Sequence, residues 1–254
     1  GTFQFLARVE GLDATAYTDT GDDARRFLGI RDHTPLKDGT AYAYRIRAIN
    51  TAEAASDWCE AIDAVTKIVP QPPTGLRVST GHARVIDAAW NTNREKDIIA
   101  YVVEMAAIEE GPFTDAGRVP AEGQLHLTQD NLPPGLSRFY RVQAVDIDGL
   151  QSDWTEPEEG TTKPLPEAPT DVTVEWGADG AWVRWSPPPQ DDIVHYRILN
   201  RRFMGQDELA VSEDAEYFFP MAELAKKKVM MITAVDADGL ESSTSNVLEV
   251  KVPR

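Results

Sequence analysis

An alternation of polar and apolar residues is written three times in this chain of 254 residues. It reads Tyr44-Arg45-Ile46-Arg47-Ala48-Ile49-Asn50, then Tyr140-Arg141-Val142-Gln143-Ala144-Val145-Asp146, then Met230-Met231-Ile232-Thr233-Ala234-Val235-Asp236. The copies start 96 and 90 residues apart. A period of two is that of a strand with one buried face. A repeat of roughly 90 residues has the size of a small domain and is too long for a solenoid unit. The chain is therefore expected to fold as a string of similar β domains.

Prolines mark the boundaries. Pro70, Pro72 and Pro73 precede the apolar run that opens at Thr74, and Pro164, Pro166 and Pro169 precede the run that opens at Thr170. The expected domains are 1–69, 70–163 and 164–254. Short proline-rich linkers lean toward extended backbone, so the array should be elongated and stiff.

Within the second repeat, Ile86, Ala88 and Trp90 form one inward set, Tyr101, Val103 and Met105 another, and Tyr140, Val142 and Ala144 a third, with Arg141 and Gln143 facing out. The third repeat supplies Ala181, Val183 and Trp185, then Tyr196 and Ile198, then Met230, Ile232 and Ala234, with Trp182 and Arg184 outward. About seven short strands per repeat, without a helical period, indicate an antiparallel sandwich. Val183-Arg184-Trp185-Ser186-Pro187-Pro188 followed by Tyr196-Arg197-Ile198 resembles strands B and C of a fibronectin type III domain. Leu36 to Ala48 resembles the E–F turn and strand F of that family. The resemblance implies an all-β chain of tandem immunoglobulin-like antiparallel sandwiches, and its bacterial members suggest an envelope or extracellular protein.

The copies depart from the pattern in informative ways. The family's corner tyrosine stands six residues before the strand-F alanine. Tyr42 fills that place in the first repeat, but Arg138 and Lys228 fill it in the others, where a long side chain is expected to reach outward. Ala222, not Leu224, stands twelve residues before Ala234, so the third E–F turn is shorter. Gly1, Phe3, Arg8 and Val9 match Gly111, Phe113, Arg118 and Val119 in spacing. The first repeat is thus expected to begin part-way through its sandwich, with its early strands absent and an apolar face and sheet edges exposed. It also carries an insertion at about 21–35, where Arg25, Arg26, Phe27, Leu28 and Ile30 form a candidate partner-contact loop.

The net charge of −17 is spread along the chain, and no region carries a basic excess. That argues against nucleic acid and anionic membrane as partners. No run of ~18 apolar residues is present to span a bilayer. The chain opens on Gly1 without Met, which reads as a mature or trimmed product, with a lipid anchor expected on the side before Gly1. The single cysteine, Cys59, excludes an intrachain disulfide and is expected to be a small buried residue. His33, His82, His126 and His195 make no metal or catalytic spacing, and no phosphate loop or nucleophile elbow occurs. Nothing here points to an enzyme.

Asp146-Ile147-Asp148-Gly149 and Asp236-Ala237-Asp238-Gly239 resemble the start of a calcium loop, where alternate oxygens surround a hard cation. They also suit hairpin turns, in which Gly supplies a positive φ. In this fold the B–C and F–G loops share one end of a sandwich. Asp97 is thereby expected near Asp146 and Asp148, and Asp191 and Asp192 near Asp236 and Asp238, a set that would bind Ca²⁺ weakly. No other cofactor is indicated. Ser56-Asp57-Trp58 and Ser152-Asp153-Trp154 open strand G beside outward arginines, an arrangement suited to cation–π stacking. Lys226, Lys227 and Lys228, with Arg201 and Arg202, are expected to pair with local carboxylates.

The expected function is a non-enzymatic interaction or scaffold module of a cell-envelope or secreted protein, engaging another protein or a surface component. Two alternatives stand beside it. One is a spacer within a larger secreted polysaccharide-degrading enzyme. The other is a subunit of a surface filament or outer-membrane assembly whose first repeat is completed by a partner.

Overall fold

Ile86, Ala88 and Trp90 are 0, 1 and 4% exposed, while the residues between them remain partly accessible. One-sided burial of this kind recurs in the strands of the second and third repeats, and it forces two sheets to face each other across each of them. The computed structural model describes residues 2–11, 14–21, 36–224 and 226–252.

The first repeat contributes β1 (Ala41–Tyr44) and β2 (Ile62–Val65), paired antiparallel. The second comprises β3 (Thr74–Val78), β4 (Thr80–His82), β5 (Ile86–Asn91), β6 (Ile98–Ala106), β7 (Thr114–Pro120), β8 (His126–Gln129), β9 (Ser137–Asp146) and β10 (Glu158–Thr162). Its sheets have the orders β3-β5-β8 and β4-β10-β9-β6-β7. The third comprises β11 (Thr170–Trp176), β12 (Gly180–Ser186), β13 (Ile193–Arg201), β14 (Gln206–Ser212), β15 (Glu216–Pro220), β16 (Lys228–Asp236) and β17 (Leu248–Val250), in the orders β11-β12-β15 and β14-β13-β16-β17. The chain is all-β, with immunoglobulin-like antiparallel sandwiches. Among the described residues the only helical element is a 3₁₀ turn at Met221–Leu224.

Each complete core contains the same pair of rings. Trp90 meets Tyr101 edge-on at 5.6 Å, and Trp185 meets Tyr196 edge-on at 5.2 Å. Such pairs add about 0.5–1.5 kcal/mol beyond the area they bury. Tyr101, Val103, Tyr140, Val142 and Ala144 close the second core, and Ile198, Met230, Ile232 and Ala234 the third.

Strand G begins the same way in all three repeats, with side chains standing in for ladder bonds. Ser56, Ser152 and Ser242 accept from the backbone N–H of Ala48, Ala144 and Ala234. Cys59, Thr155 and Ser245 accept from Ile46, Val142 and Ile232.

Several expectations change. Cys59 is exposed, not buried, because it holds the position of Thr155 and Ser245 and faces an uncovered repeat. Arg138 does not reach outward; its guanidinium donates to Gln129 Oε1 at 3.0 Å, the oxygen that also accepts from Tyr140. Gln143 points outward but is only 7% exposed, since β9 is flanked by strands on both sides. The shorter third E–F turn is taken up by the 3₁₀ turn, which drives Leu224 into the core at 1% exposure. Tyr42 behaves as expected, its hydroxyl accepting from Lys37 N–H at 3.0 Å.

Candidate functional site

The Asp-x-Asp-Gly segments fold as F–G turns. Asp146 Oδ1 accepts from the N–H of Asp148 and of Leu150, and Asp236 Oδ1 from Asp238 and Leu240. Gly149 and Gly239 adopt φ of 83° and 75°, which explains glycine there. The B–C loop is tied alongside, since Ile147 N–H donates to Asp97 O and Ala237 N–H to Asp192 O. Three carboxylates therefore converge at one end of each complete sandwich: Asp97, Asp146 and Asp148 in one, Asp192, Asp236 and Asp238 in the other. Asp191 is exposed and takes no part.

A lysine ammonium from the preceding strand G stands at the centre of each cluster. Lys67 Nζ lies 2.7, 2.6 and 2.6 Å from Asp97, Asp146 and Asp148. Lys163 Nζ lies 2.5, 2.8 and 2.5 Å from Asp192, Asp236 and Asp238. Asp146 and Asp236 are almost wholly buried, and the lysine is the cation that meets the Oδ2 of each. Burial pushes both carboxyls up. The ammonium, together with two backbone N–H donors, outweighs that and holds them below the usual carboxylate range. Lys67 likewise holds Asp97 down. The aspartates in return raise both lysines above the ordinary range, with Asp146 acting most on Lys67 and Asp192 most on Lys163.

The backbone of each lysine is fixed on its own repeat. Thr66 Oγ1 accepts from Thr40 N–H and donates to Lys37 O, while Lys67 O accepts from Gly39 N–H. Thr162 Oγ1 accepts from Leu136 N–H and donates to Pro133 O, while Lys163 O accepts from Gly135 N–H. The linker beyond is also held. Gln71 N–H donates to Glu95 Oε1 at 2.8 Å, which lowers the pKa of Glu95, and Asn93 donates to Gln71 O. At the second junction Glu167 N–H donates to Gln190 Oε1. Each junction is thus a clasp whose two halves belong to successive repeats. Residues 67–71, with Glu95, Asp97 and Asp146, line a shallow groove beside the first.

Neither lysine stood out in the sequence. The signal was there in Thr66-Lys67 and Thr162-Lys163, spaced by the same 96 residues as strand F. The candidate calcium residues are thereby placed around a positive charge, six of the seven in contact with it. The strand-G tryptophans stack as expected, with Arg141 over Trp154 at 4.5 Å and Arg45 over Trp58 at 4.5 Å. Phe113 and Phe3 complete each stack from the other side at 4.0 Å. Lys227 pairs with Glu249 and Arg202 with Asp207. Arg25, Arg26, Phe27, Leu28 and Ile30, and most of the insertion at 21–35, lie outside the described residues.

No family model matches the sequence. Human myomesin-2 is 25% identical over 209 residues, covering 65% of this chain, and the chain spans 14% of that protein's length. A crystal structure of the chicken CNTN1 FN1-FN3 domains aligns over 84% of this chain and 78% of its own, at 16% identity and a TM-score of 0.35. No helix among the described residues is long and apolar enough to cross a membrane.

Proposed function

We propose that the chain is a non-enzymatic scaffold segment whose junctions are locked, so that it sets the spacing and relative angle of binding surfaces along a stiff array. The lysine clasp carries this reading. A linker needed only for connection has no use for an ammonium lodged among three carboxylates, and this one is built twice with corresponding atoms. Interfaces between domains of one chain are ordinarily small and permissive of motion. A multidentate ion pair with a nearly buried carboxylate restricts that motion, because pulling the lysine out leaves a desolvated charge behind. The acidic surface and the absence of a basic patch suit an exposed, soluble array in an envelope or secreted protein that engages another protein.

Small-angle scattering tests it. The full chain should give a narrow distribution of interdomain distances, and the double variant Lys67→Met/Lys163→Met a broad one. Identical distributions for both would remove the clasp as the source of stiffness.

A further inference from the structure

The hairpins that join β6 to β7 and β13 to β14 are closed in similar ways. Gly111 N–H donates to Ile108 O and Arg202 N–H to Gly205 O, each at 3.0 Å, and the two glycines adopt φ of 88° and 84°. Each bond encloses two apex residues, and polar ones suit such a turn. The second repeat places Glu109 and Glu110 there. The third places Phe203 and Met204, which are 104 and 86% exposed and directly follow Arg201 and Arg202. Nothing in the sandwich accounts for an apolar pair standing clear of it. A following repeat does not cover this hairpin either, since Ile108 stays 56% exposed although the third repeat comes after it.

The groove beside the first clasp departs from the second junction in the complementary sense. Glu95 holds Gln71 N–H, whereas the neutral Gln190 holds Glu167 N–H in the matching bond. Ile147, whose N–H is bonded to Asp97 O, is 67% exposed, and Ala237 takes its place at the second junction. Ile68 is also 67% exposed, and Pro164 takes its place. The groove is therefore bordered by two open isoleucines and lined by the carboxylates of Glu95 and Asp97. The course of the linker keeps it open, because Pro164 and Leu165 are exposed as well, between two complete sandwiches.

We propose that this groove on one copy of the chain takes the Phe203–Met204 tip of a second copy. The apolar pair lies against Ile68 and Ile147, while Arg201 and Arg202 face Glu95 and Asp97. Among the described residues Arg201 has no carboxylate partner, and Arg202 has Asp207. Tip and groove are each the variant form of a feature that the array builds twice, and the two variations match in polarity and in charge. Both halves of the contact are thus on the chain itself, which singles out a second copy as the occupant. β13 starts beside the Lys163 clasp and carries the tip to the other end of its sandwich, away from the groove. The contact is heterologous, so it does not close on itself and joins copies head to tail. A hairpin tip buries less than the ~1,200 Å² of a stable interface, so the association is weak and reversible.

Sedimentation velocity of the full chain tests this. The weight-average sedimentation coefficient should rise between roughly 10 and 500 µM, and rise less as salt is added. Phe203→Glu/Met204→Glu gives the tip the apex residues of the second repeat. Glu95→Gln/Ile147→Ala gives the groove the residues of the second junction. Each should weaken association by about tenfold or more with an unchanged circular dichroism spectrum. Should either double variant not fold, Phe203→Ser alone should give the same loss. Mixed together, the two double variants should pair and stop at a dimer, since one keeps its groove and the other its tip. A parent that stays monomeric at the top of the range, variants that associate as the parent does, or a mixture that forms no heterodimer would each overturn the proposal.

Discussion

Lys163 Nζ sits 2.8 Å from Asp236 Oδ2, a side chain with no exposed surface, across the boundary between one sandwich and the next. Asp192 and Asp238 share the same ammonium. A charge in so small a space must be matched by a compact ion. An ammonium with rotatable donors suits three carboxylates better than a planar guanidinium does.

Removing that ammonium should therefore destabilise more than a surface pair would. Lys163→Met is expected to lower the melting temperature of the third sandwich, because Asp236 keeps its burial and loses its cation. Lys163→Arg should fall between it and the parent. Differential scanning calorimetry of the full chain reads both, and a Lys163→Met trace that overlays the parent would mean the pair contributes nothing.

The clasp also sets a pH dependence. Asp97, Asp146 and Asp236 are held below their unfolded values, so their contribution is complete above the unfolded carboxylate value near ~4 and is lost as pH falls through the folded values. The lysines are raised, so theirs is complete below the unfolded value near ~10.4 and is lost only as pH rises past the higher folded one. Interdomain order followed by scattering should hold from pH 5 to 9 and fail first on the acid side.

Calcium would have to displace an ammonium to reach these carboxylates. Millimolar calcium should leave the melting temperature of the parent unchanged. In Lys163→Met, where Asp192, Asp236 and Asp238 keep oxygens within 4.8 Å of one another, it should raise it. A calcium-dependent rise in the parent would show that the metal wins the competition.

Gly160 is fixed by packing, not by its backbone angles. Gly160→Ala is expected to cost about 1–3 kcal/mol, since the added methyl enters space held by Val78, Ile86 and the Ser79 carbonyl. Urea unfolding of the second sandwich measures it.

Cys59 makes the bond that Thr155 and Ser245 make, with a weaker acceptor. Its sulfur lies 3.2 Å from Ile46 N, against 2.9 Å for the Ser245 oxygen and Ile232 N. Cys59→Ser should change stability by no more than about 0.5 kcal/mol. The parent thiol, being exposed, should react freely with an aromatic disulfide reagent.

Strand identity was legible because alternation at Ile86, Ala88 and Trp90, or at Met230, Ile232 and Ala234, has no other use than one buried face. The convergence of Asp97 with Asp146, and of Asp192 with Asp236, followed from loops sharing one end of a sandwich. The lysines were not legible in the same way. Lys67 and Lys163 look like solvated linker residues until the following repeat is placed beyond them, and periodicity within a strand carries no information about a neighbouring domain. Arg138 was misjudged for a related reason. Its partner, Gln129, lies on the opposite sheet, where no local pattern announces it.

Thr66-Lys67 and Thr162-Lys163 give the first and second repeats the same plug, and the loops around Asp146 and Asp236 give the second and third the same socket. In repeat 3 the positions matching Thr162 and Lys163 hold Val252 and Pro253, so that copy carries the socket without the plug. The second repeat carries both, so copies of that unit are interchangeable. A unit cut at its prolines and duplicated or deleted by recombination would meet its new neighbour through the same contacts. The length of such an array could then drift over generations without any junction having to be reinvented.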